Sequence, residues 1–368
     1  MNVPFLDLKI QYESIKQEIA VGVQSVLDNT AYILGKYVVE FEQEFATAHD
    51  VRHCVGLSSG TDAVHLALWL LGIQSGHEVI IPSNTFAATA WGATLCGAKP
   101  VFVDCDPDSY NIDPLKVEEA ITPRTKAIVA VHLYGQPADL DPLNEIAARH
   151  NIYLVEDAAQ AHLAEYNGKK VGGFGISAAF SFYPGKNLGA YGEAGALTTN
   201  DNEIARKARM FRDQGQSRKY YHDSYGHNYR MEAIQGAVLG VKLKYLPQWT
   251  VQRRAVAAKY RQLLGNLVEI SLPKEMPYAK HVYHLFVIRA RRRDDLKAFL
   301  EQKGIGTGLH YPIPLHLQKA FQHLGYKKGD FPVAEKAADE ILSLPMYPEL
   351  TDQQIEYVCD SIREFYRR

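Results

Sequence analysis

The chain has 368 residues, with 46% hydrophobic and 22% charged side chains and a formal net charge of −2. This is the balance of a globular protein, and the length exceeds what one hydrophobic core usually supports. Because no long block of like charge occurs, the sequence argues against a nucleic-acid-binding surface. Because it shows neither a signal-like N-terminus nor a run of about 18 apolar residues, it predicts a cytoplasmic protein without a membrane span.

Helical and strand patterns alternate through the first two thirds of the chain, after two predicted N-terminal helices at 11–27 and 38–49. The predicted strands lie at 54–57, 78–81, 99–103, 127–131, 152–155, 178–182 and 196–199. The predicted helices lie at 62–71, 87–95, 114–120, 140–149 and 202–211. Strands rich in Val, Ile and Ala, separated by helices, predict an α/β fold with a mostly parallel central sheet covered by helices on both faces.

The last third of the chain has a different order of elements. A helix over 231–246 is predicted to end at Pro247 and to be followed by a second helix over 252–264. The further predicted elements are strands at 281–289 and 306–310 and helices at 294–303, 333–341 and 352–366. We therefore predict a large domain of residues 1–246 and a smaller C-terminal α+β domain of residues 247–368.

Two polar residues follow strands of the predicted sheet. Asp157 ends the run Val155-Glu156-Asp157, and Lys186 lies in the turn Pro184-Gly185-Lys186-Asn187. Because ligands of parallel sheets lie at the carboxyl ends of the strands, we expect both residues at one edge. A lysine amine can form a Schiff base with the aldehyde of pyridoxal phosphate (PLP), and a carboxylate can keep its pyridine nitrogen protonated. The neighbours of Lys186 carry no charge, so burial should lower its pKa.

A turn of small residues, Ser58-Ser59-Gly60-Thr61-Asp62, joins the first predicted strand to a helix. By itself it would be explained as a helix N-cap. Beside a candidate Schiff-base lysine, it predicts a seat for the cofactor phosphate, because backbone amides and the helix N-terminus favour an anion. Ser181 is a further candidate phosphate donor, Phe86 a candidate to stack on the pyridine ring, and Gln160 a candidate partner of its phenolic oxygen.

Other kinds of site fit the sequence less well. The Gly185-Lys186 pair lacks the Ser/Thr and the first Gly of a phosphate-binding loop, and 172–175 lacks the glycine spacing of a dinucleotide fingerprint. His281 and His284 lie in a strand-like stretch, which would point them to opposite faces. The four cysteines form no C-x-x-C pair, so we expect buried reduced thiols and no metal site.

Four ordered motifs resemble those of the DegT-like nucleotide-sugar aminotransferases, a family of fold-type I PLP enzymes. They are Ser59-Gly60-Thr61-Asp62, Glu156-Asp157-Ala158-Ala159-Gln160-Ala161-His162, Ser181-Phe182-Tyr183-Pro184-Gly185-Lys186-Asn187-Leu188 and His227-Asn228-Tyr229-Arg230-Met231. The resemblance extends from residues 4–8 to residues 344–348, nearly the whole chain. One departure is Leu163, where the family commonly has Gly. It leaves the cofactor chemistry untouched and bears on the shape of the sugar pocket.

The resemblance implies a role for each motif residue. Lys186 would form the Schiff base with PLP and shuttle the proton, Asp157 would pair with the pyridine nitrogen, and Gln160 with the ring oxygen. The phosphate would be held by Gly60, Thr61 and Ser181, and by Asn228 acting on the site of the partner subunit. Sites of this family are built across a homodimer.

The resemblance also implies the reaction. Tyr183 and the segment 308–316, with His310 and Tyr311, resemble members that transfer the amino group of L-glutamate to C3 of a dTDP-linked 3-oxo-6-deoxyhexose. Such a pocket is polar and aromatic, although a loop packed by Pro and Tyr would have the same composition. Amination at C4 of a dTDP- or UDP-linked sugar is the alternative within the family.

Two further alternatives differ in kind. Family members that remove a sugar hydroxyl carry His at the position of Lys186, so the lysine argues against that reaction. A regulatory or ligand-sensing protein could keep the fold without turnover. Every cofactor position is filled and no DNA-binding helix pair is appended, which favours the enzyme.

Overall fold

The computed structural model describes residues 1–367. Its helices are α1 (Leu8–Asp28), α2 (Lys36–Ala48), α3 (Gly60–Leu70), α4 (Ala87–Leu95), α5 (Pro114–Ala120), α6 (Leu140–His150), α7 (Asn202–Arg212), α8 (Ala233–Leu243), α9 (Leu246–Leu264), α10 (Arg293–Gln302), α11 (Pro332–Glu340) and α12 (Asp352–Arg367). Short 3₁₀ turns lie at Leu133–Gly135, Leu315–Leu317 and Lys319–Leu324.

The strands fall into one large sheet and several small ones. The strands of the large sheet are β1 (His53–Leu57), β2 (Glu78–Pro82), β3 (Lys99–Val103), β4 (Thr125–Val131), β5 (Tyr153–Asp157), β8 (Ser177–Ser181) and β9 (Gly195–Thr199). The others are β6 (Glu165–Tyr166), β7 (Lys169–Lys170), β10 (Gln216–Arg218), β11 (Tyr221–His222), β12 (Ile270–Ser271), β13 (Ala279–Lys280), β14 (Phe286–Ala290) and β15 (Ile341–Leu344).

The large sheet has the order β1-β9-β8-β5-β4-β2-β3. Only β9 runs against its neighbours, since β8, β5, β4, β2 and β3 pair in parallel and β9 pairs antiparallel with both β1 and β8. The predicted mostly parallel α/β sheet is therefore confirmed.

Two hydrophobic cores cover the two faces of this sheet. Along β2, Ile80 packs into one core, whereas Val79 and Ile81 pack into the other. This alternation follows from the strand period of two residues. Helices α2, α5, α6 and α8 cover the first face, and α3, α4 and α7 cover the second. Apolar strands between two helical layers are what the sequence predicted.

The C-terminal part builds a third core on a small antiparallel sheet, β12-β14-β15, with α9, α10 and α12 packed against it. The N-terminus also belongs to this core, because Val3 is fully buried there and forms a bridge with Ile305. The domain division at residue 246 stays a prediction.

Several C-terminal elements differ from the predicted ones. Pro247 does not end a long helix; it occupies the first turn of α9, where its missing N–H costs nothing. The predicted strand at 306–310 is a loop with one bridge, Gly308 to Ser343. The predicted strand at 281–289 begins only at Phe286. Its partner β15 was missed, because four residues directly after a helix resemble a continuation of that helix.

All four cysteines, Cys54, Cys96, Cys105 and Cys359, are buried free thiols. No helix within residues 1–367 combines the length and the apolar character that a membrane crossing requires.

Candidate active site

A cavity of about 510 Å³ lies at the carboxyl edge of the large sheet. Its wall combines residues from strand ends, helix N-termini and the N-terminal segment: Phe5, Leu6, Ser59, Gly60, Thr61, Val64, Thr85, Phe86, Ala88, Thr89, Val131, Asp157, Ala159, Gln160, Ser181, Tyr183, Gly185, Lys186, Glu193, His284, Leu285, His310, Tyr311 and Met346. Every predicted site residue except Asn228 lies in this wall. The structure thus brings together residues that are more than 250 positions apart.

Lys186 projects into the cavity from a closed turn that follows β8. The turn is fixed by two backbone hydrogen bonds, from Lys186 N–H to the carbonyl of Tyr183 (2.8 Å) and from Ala190 N–H to the carbonyl of Phe182 (2.7 Å). Gly189 closes it, since a Cβ there would lie 2.2 Å from the carbonyl oxygen of Pro184. Burial lowers the pKa of Lys186 to about 8, although the nearby Asp157 acts in the opposite direction. At pH 7 about a tenth of the amine is therefore uncharged, far more than for a lysine at its ordinary pKa.

Asp157 ends β5, where its carboxylate is nearly buried, 6% exposed. Oδ1 accepts from the N–H of Ala159 at 3.2 Å. Oδ2 accepts from the hydroxyl of Thr89 at 2.7 Å. The carboxylate is thus held between the strand end and helix α4, and it faces the same cavity as Lys186.

Gln160 follows Asp157 on the same loop, and its amide orientation is determined by its neighbours. Oε1 accepts from the backbone N–H of Tyr134 at 2.6 Å, and Nε2 donates to the hydroxyl of Tyr311 at 3.1 Å. Because a backbone N–H can only donate, the oxygen must face Tyr134. Gln160 therefore presents its NH₂ group to the cavity.

The predicted phosphate seat lies at the N-terminus of α3. Ser59 caps this helix by accepting from the N–H of Asp62, so Gly60 and Thr61 occupy its first positions. The N–H groups of the first turn have no partner within the helix and can bind an anion. Ser181 lies directly against Gly60, where a Cβ would be 2.6 Å from the Cβ of Ser181. Only Gly allows β8 to approach the helix N-terminus this closely.

Aromatic residues form the opposite wall. Phe86 is 56% exposed at the start of α4, and its ring lies 5.5 Å from that of Tyr311. Tyr183 is also half exposed, at 55%. Nδ1 of His310 lies 2.8 Å from the hydroxyl of Ser343, and its ring stacks on Phe5 at 5.6 Å. Burial, and then the charge of Lys186, lower the pKa of His310 to about 4, so its ring is neutral at physiological pH.

Asn228 is exposed and lies outside the cavity of its own chain. Its backbone pairs with Asp213. The flanking residues are anchored to α3, since the hydroxyl of Tyr229 lies 3.0 Å from Nδ1 of His65 and the rings of His227 and Tyr229 stack at 4.8 Å. The structure therefore holds Asn228 on the surface, away from Lys186.

Leu163 does not contribute to the cavity wall. Its φ of 62° lies in the left-handed region, which explains why a Gly is favourable at this position. The side chain is 7% exposed and packs in the core cluster that contains Phe45 and Phe180. Leu163 therefore makes no direct contact with the cavity through which it could shape the sugar pocket.

The sequence analysis missed several residues of the wall. Thr89 lies in a helix among mostly apolar residues, and only its hydrogen bond to Asp157 shows that it belongs to the site. His284 was considered only as a metal ligand; it lies in the wall, whereas His281 packs on Tyr283 with ring centroids 3.9 Å apart. Phe5 lies in the Pro4–Leu8 stretch that carries the family resemblance, which was the available signal for it.

Comparisons with known proteins identify the relatives of this chain. The model of the DegT/DnrJ/EryC1/StrS aminotransferase family matches residues 13–363. The whole chain is 50% identical to the pleiotropic regulatory protein of Geobacillus stearothermophilus, covering 99% of it. It is 46% identical to the dTDP-3-amino-3,4,6-trideoxy-alpha-D-glucose transaminase of Streptomyces venezuelae, over 100% of this chain and 97% of that one. It is 43% identical to the dTDP-3-amino-3,6-dideoxy-alpha-D-galactopyranose transaminase of Aneurinibacillus thermoaerophilus, over 99% of each chain.

Solved structures show the same fold. The crystal structure of S. venezuelae DesV in complex with a ketimine intermediate superimposes with a TM-score of 0.98 at 46% identity, covering 100% of this chain and 99% of that one. The structure of NtdA from Bacillus subtilis with bound cofactor PMP gives a TM-score of 0.92 at 33% identity, covering 100% and 86%. The chain belongs to the DegT/DnrJ/EryC1/StrS aminotransferase family.

Proposed function

We propose that this chain is a PLP-dependent transaminase that moves the amino group of L-glutamate to C3 of a dTDP-linked 3-oxo-6-deoxyhexose. The observation that carries the proposal is the placement of Lys186 and Asp157 in the wall of one cavity, with the helix N-terminus of α3 beside them. The names of the S. venezuelae and A. thermoaerophilus relatives, both dTDP-3-amino-sugar transaminases, support the substrate class.

The residues of the cavity fit PLP on structural grounds. Gly60 lets Ser181 lie directly against the N-terminus of α3, and the first N–H groups of that helix offer an anion seat. Lys186 supplies an amine, Asp157 a buried carboxylate and Gln160 an outward NH₂ group. When bound, the cofactor supplies an electron sink and a carrier for the amino group. Gly60, Thr61 and Ser181 would hold its phosphate, Phe86 its ring face, Asp157 its nitrogen and Gln160 its ring oxygen.

Lys186 has the properties of a residue that takes up and returns a proton at Nζ. Its pKa of about 8, which burial lowers from 10.5, lies close to the pH of a cell. A general base and acid works best when its pKa is near the operating pH, because both protonation states are then populated. An ordinary surface lysine would be almost fully charged and unable to accept a proton.

Asp157 contributes through its charge and its rigid position. A carboxylate held by Thr89 and Ala159 cannot rotate away from the cavity. With PLP bound, it would favour the protonated form of the ring nitrogen, and each pKa unit of such coupling corresponds to about 1.4 kcal/mol. The residue would thus strengthen the electron-withdrawing property of the cofactor.

The sugar would lie against the aromatic part of the wall. Tyr183 and His310 offer polar atoms there, and Tyr311 offers a hydroxyl whose pKa is raised by burial and by the charge of Asp157. Because Tyr311 already accepts a hydrogen bond from Gln160, its own proton is free to donate. These groups can bind and orient a keto-sugar without adding charge.

The active unit we propose is a cytoplasmic homodimer in which Asn228 serves the site of the partner subunit. Its exposed position, outside the cavity of its own chain, is compatible with such a role. The loop that carries it is anchored to α3 through Tyr229 and His65, which would keep the side chain directed outward.

A regulatory protein remains a second candidate, because one relative at 50% identity is named a pleiotropic regulatory protein. A sensor does not require a lysine with a lowered pKa opposite a buried carboxylate, so turnover decides between the two. We would incubate the protein with PLP, L-glutamate and a panel of dTDP- and UDP-linked 3-keto and 4-keto sugars, and identify products by mass spectrometry and NMR. Amination at C3 of a dTDP-sugar is expected. Exclusive amination at C4 would contradict the regiochemistry, and PLP binding without turnover of any sugar would favour the regulator.

A further inference from the structure

The hydroxyl groups of Thr85 and Thr89 form a buried chain that ends on Asp157. Thr85 Oγ1 lies 3.0 Å from Thr89 Oγ1, which in turn lies 2.7 Å from Oδ2 of Asp157. Thr85 is 3% exposed, Thr89 1% and Asp157 6%, so the chain is shielded from water. Thr89 lies in the first turn of α4 and Thr85 just before that helix, whereas Asp157 ends β5.

The direction of this chain follows from the number of protons. An ionised carboxylate can only accept, so the single hydroxyl proton of Thr89 must point to Asp157. Thr89 is then an acceptor toward Thr85, whose proton points to Thr89. The chain therefore donates one hydrogen bond, from Thr89, to Oδ2 of Asp157, and Thr85 in turn donates to Thr89.

We propose that Thr89, supported by Thr85, is a positioning residue that fixes the orientation of the Asp157 carboxylate, so that this group would face the ring nitrogen of the bound cofactor. This inference rests on the function proposed above. A donated hydrogen bond stabilises the negative carboxylate, and losing it would leave a buried acceptor unpaired. Because Thr89, on α4, donates to Oδ2, the Asp157 carboxylate is restrained from rotating about its Cβ–Cγ bond.

Other groups that face Asp157 cannot replace Thr89. Lys186 lies across the cavity on the turn after β8, and its charge interacts with Asp157. Tyr311 faces it from the loop after His310. Lys186 is the residue expected to bind the cofactor, and the hydroxyl of Tyr311 accepts from Gln160 and is proposed to donate to the sugar. Thr89 is thus the side chain that supports Asp157 from behind.

The test uses Thr89→Val, which keeps the shape of the side chain and removes the hydroxyl. Thr89→Ser restores the hydroxyl. Thr94→Val is the matched control, since Thr94 lies on the same helix and donates only to the carbonyl of Trp91 at 3.1 Å. The readouts are the dissociation constant of PLP, measured by equilibrium dialysis, and the pH dependence of the visible absorption of bound PLP.

The valine variant is expected to bind PLP about tenfold more weakly and to show a shifted absorption pH profile. Thr89→Ser should recover most of both, and Thr94→Val should match wild type. If Thr89→Val fails to fold, Thr89→Ala, which cannot overpack, should show the same two changes. Wild-type affinity and an unchanged pH profile in the folded variant would overturn the inference, even if its melting temperature fell. A wild-type protein that does not bind PLP would instead overturn the proposed function.

Discussion

The backbone N–H of Tyr134 determines which end of the Gln160 amide faces the cavity, through a hydrogen bond of 2.6 Å to Oε1. Gln160→Glu should therefore place a carboxylate oxygen where the NH₂ group now lies. That oxygen cannot donate to the cofactor's ring oxygen, and its charge would repel it. We expect PLP affinity to fall at least about tenfold, about 1.4 kcal/mol, in equilibrium dialysis.

The control for this variant is Gln136→Glu, because Gln136 is a buried amide that binds Met276 and Lys274 outside the cavity. It should lower the melting temperature and leave PLP affinity unchanged. Equal PLP affinity of Gln160→Glu and wild type would show that Gln160 does not face the cofactor.

Lys186→Ala should abolish the covalent attachment of PLP. Wild-type protein treated with PLP and borohydride should carry the cofactor on the peptide that contains Lys186, because reduction makes the link permanent. The variant should remain unlabelled when its intact mass is measured. Labelling of another lysine in the wild type, with Lys186 free, would contradict the assignment.

The lowered pKa of Lys186 also predicts how stability depends on pH in the cofactor-free protein. Between pH 8 and 10.5 the unfolded chain keeps a proton on this amine that the folded chain has released. Stability contributed by Lys186 should therefore rise with pH across this window, by at most about 1.4 kcal/mol per unit, and by less because the amine borders a cavity open to solvent. Below pH 8 the buried charge destabilises the fold.

The measurement compares wild type with Lys186→Met by urea denaturation at several pH values. The free energy of unfolding of wild type should increase relative to that of the variant as pH rises from 8 to 10.5. Parallel curves across this window would show that the pKa of Lys186 is not lowered.

Asp157→Asn should leave the fold intact and slow turnover at least about a hundredfold, about 2.7 kcal/mol, because a neutral amide cannot hold the ring nitrogen protonated. Asp104→Asn is the control. Asp104 accepts from the backbone N–H groups of Val333 and Ala334 at the start of α11 and is remote from the cavity chemistry. Asp104→Asn should lower the melting temperature and leave the turnover rate unchanged. Near-normal turnover by Asp157→Asn would show that Asp157 is not the partner of the ring nitrogen.

Mixing Lys186→Ala with Asn228→Ala tests whether sites are shared between subunits. If Asn228 acts in the partner's site, mixed dimers hold one undamaged site, and activity should recover toward about a quarter of wild type after free subunit exchange. Lys186→Ala mixed with Asp157→Asn is the control without recovery, since both residues line the cavity of one chain. Absence of recovery in the first mixture, with exchange demonstrated, would place Asn228 in its own site.

Leu163→Gly should destabilise the protein without changing the KM for sugar. The substitution relieves the left-handed backbone at φ 62° but removes a buried side chain from the core. Loss of a buried Leu costs about 2–5 kcal/mol, which exceeds the conformational gain of about 1 kcal/mol. Thermal unfolding and initial-rate kinetics measure the two effects, and an altered KM would assign Leu163 to the pocket.

The central sheet was predictable from the sequence because its strands are buried on both faces. Val79, Ile80 and Ile81 are all apolar, since each face of β2 meets a helical layer, and β3 was predicted with its observed bounds. The C-terminal sheet was less predictable. β15 is a four-residue strand that pairs with β14, about 50 residues earlier in the chain, and such a pairing leaves no local periodicity.

For the site, the sequence by itself determined which chemical groups were present and on which strand ends they lie. Asp157 and Lys186 could be placed at one edge because parallel strands end on the same side. Only the tertiary structure decided what surrounds them. The contact of Thr89 with Asp157 joins α4 to β5, and that of Tyr134 with Gln160 joins two separate loops. Hydrogen-bond directions and burial depend on neighbours distant in the chain, so they exist only once the chain is folded.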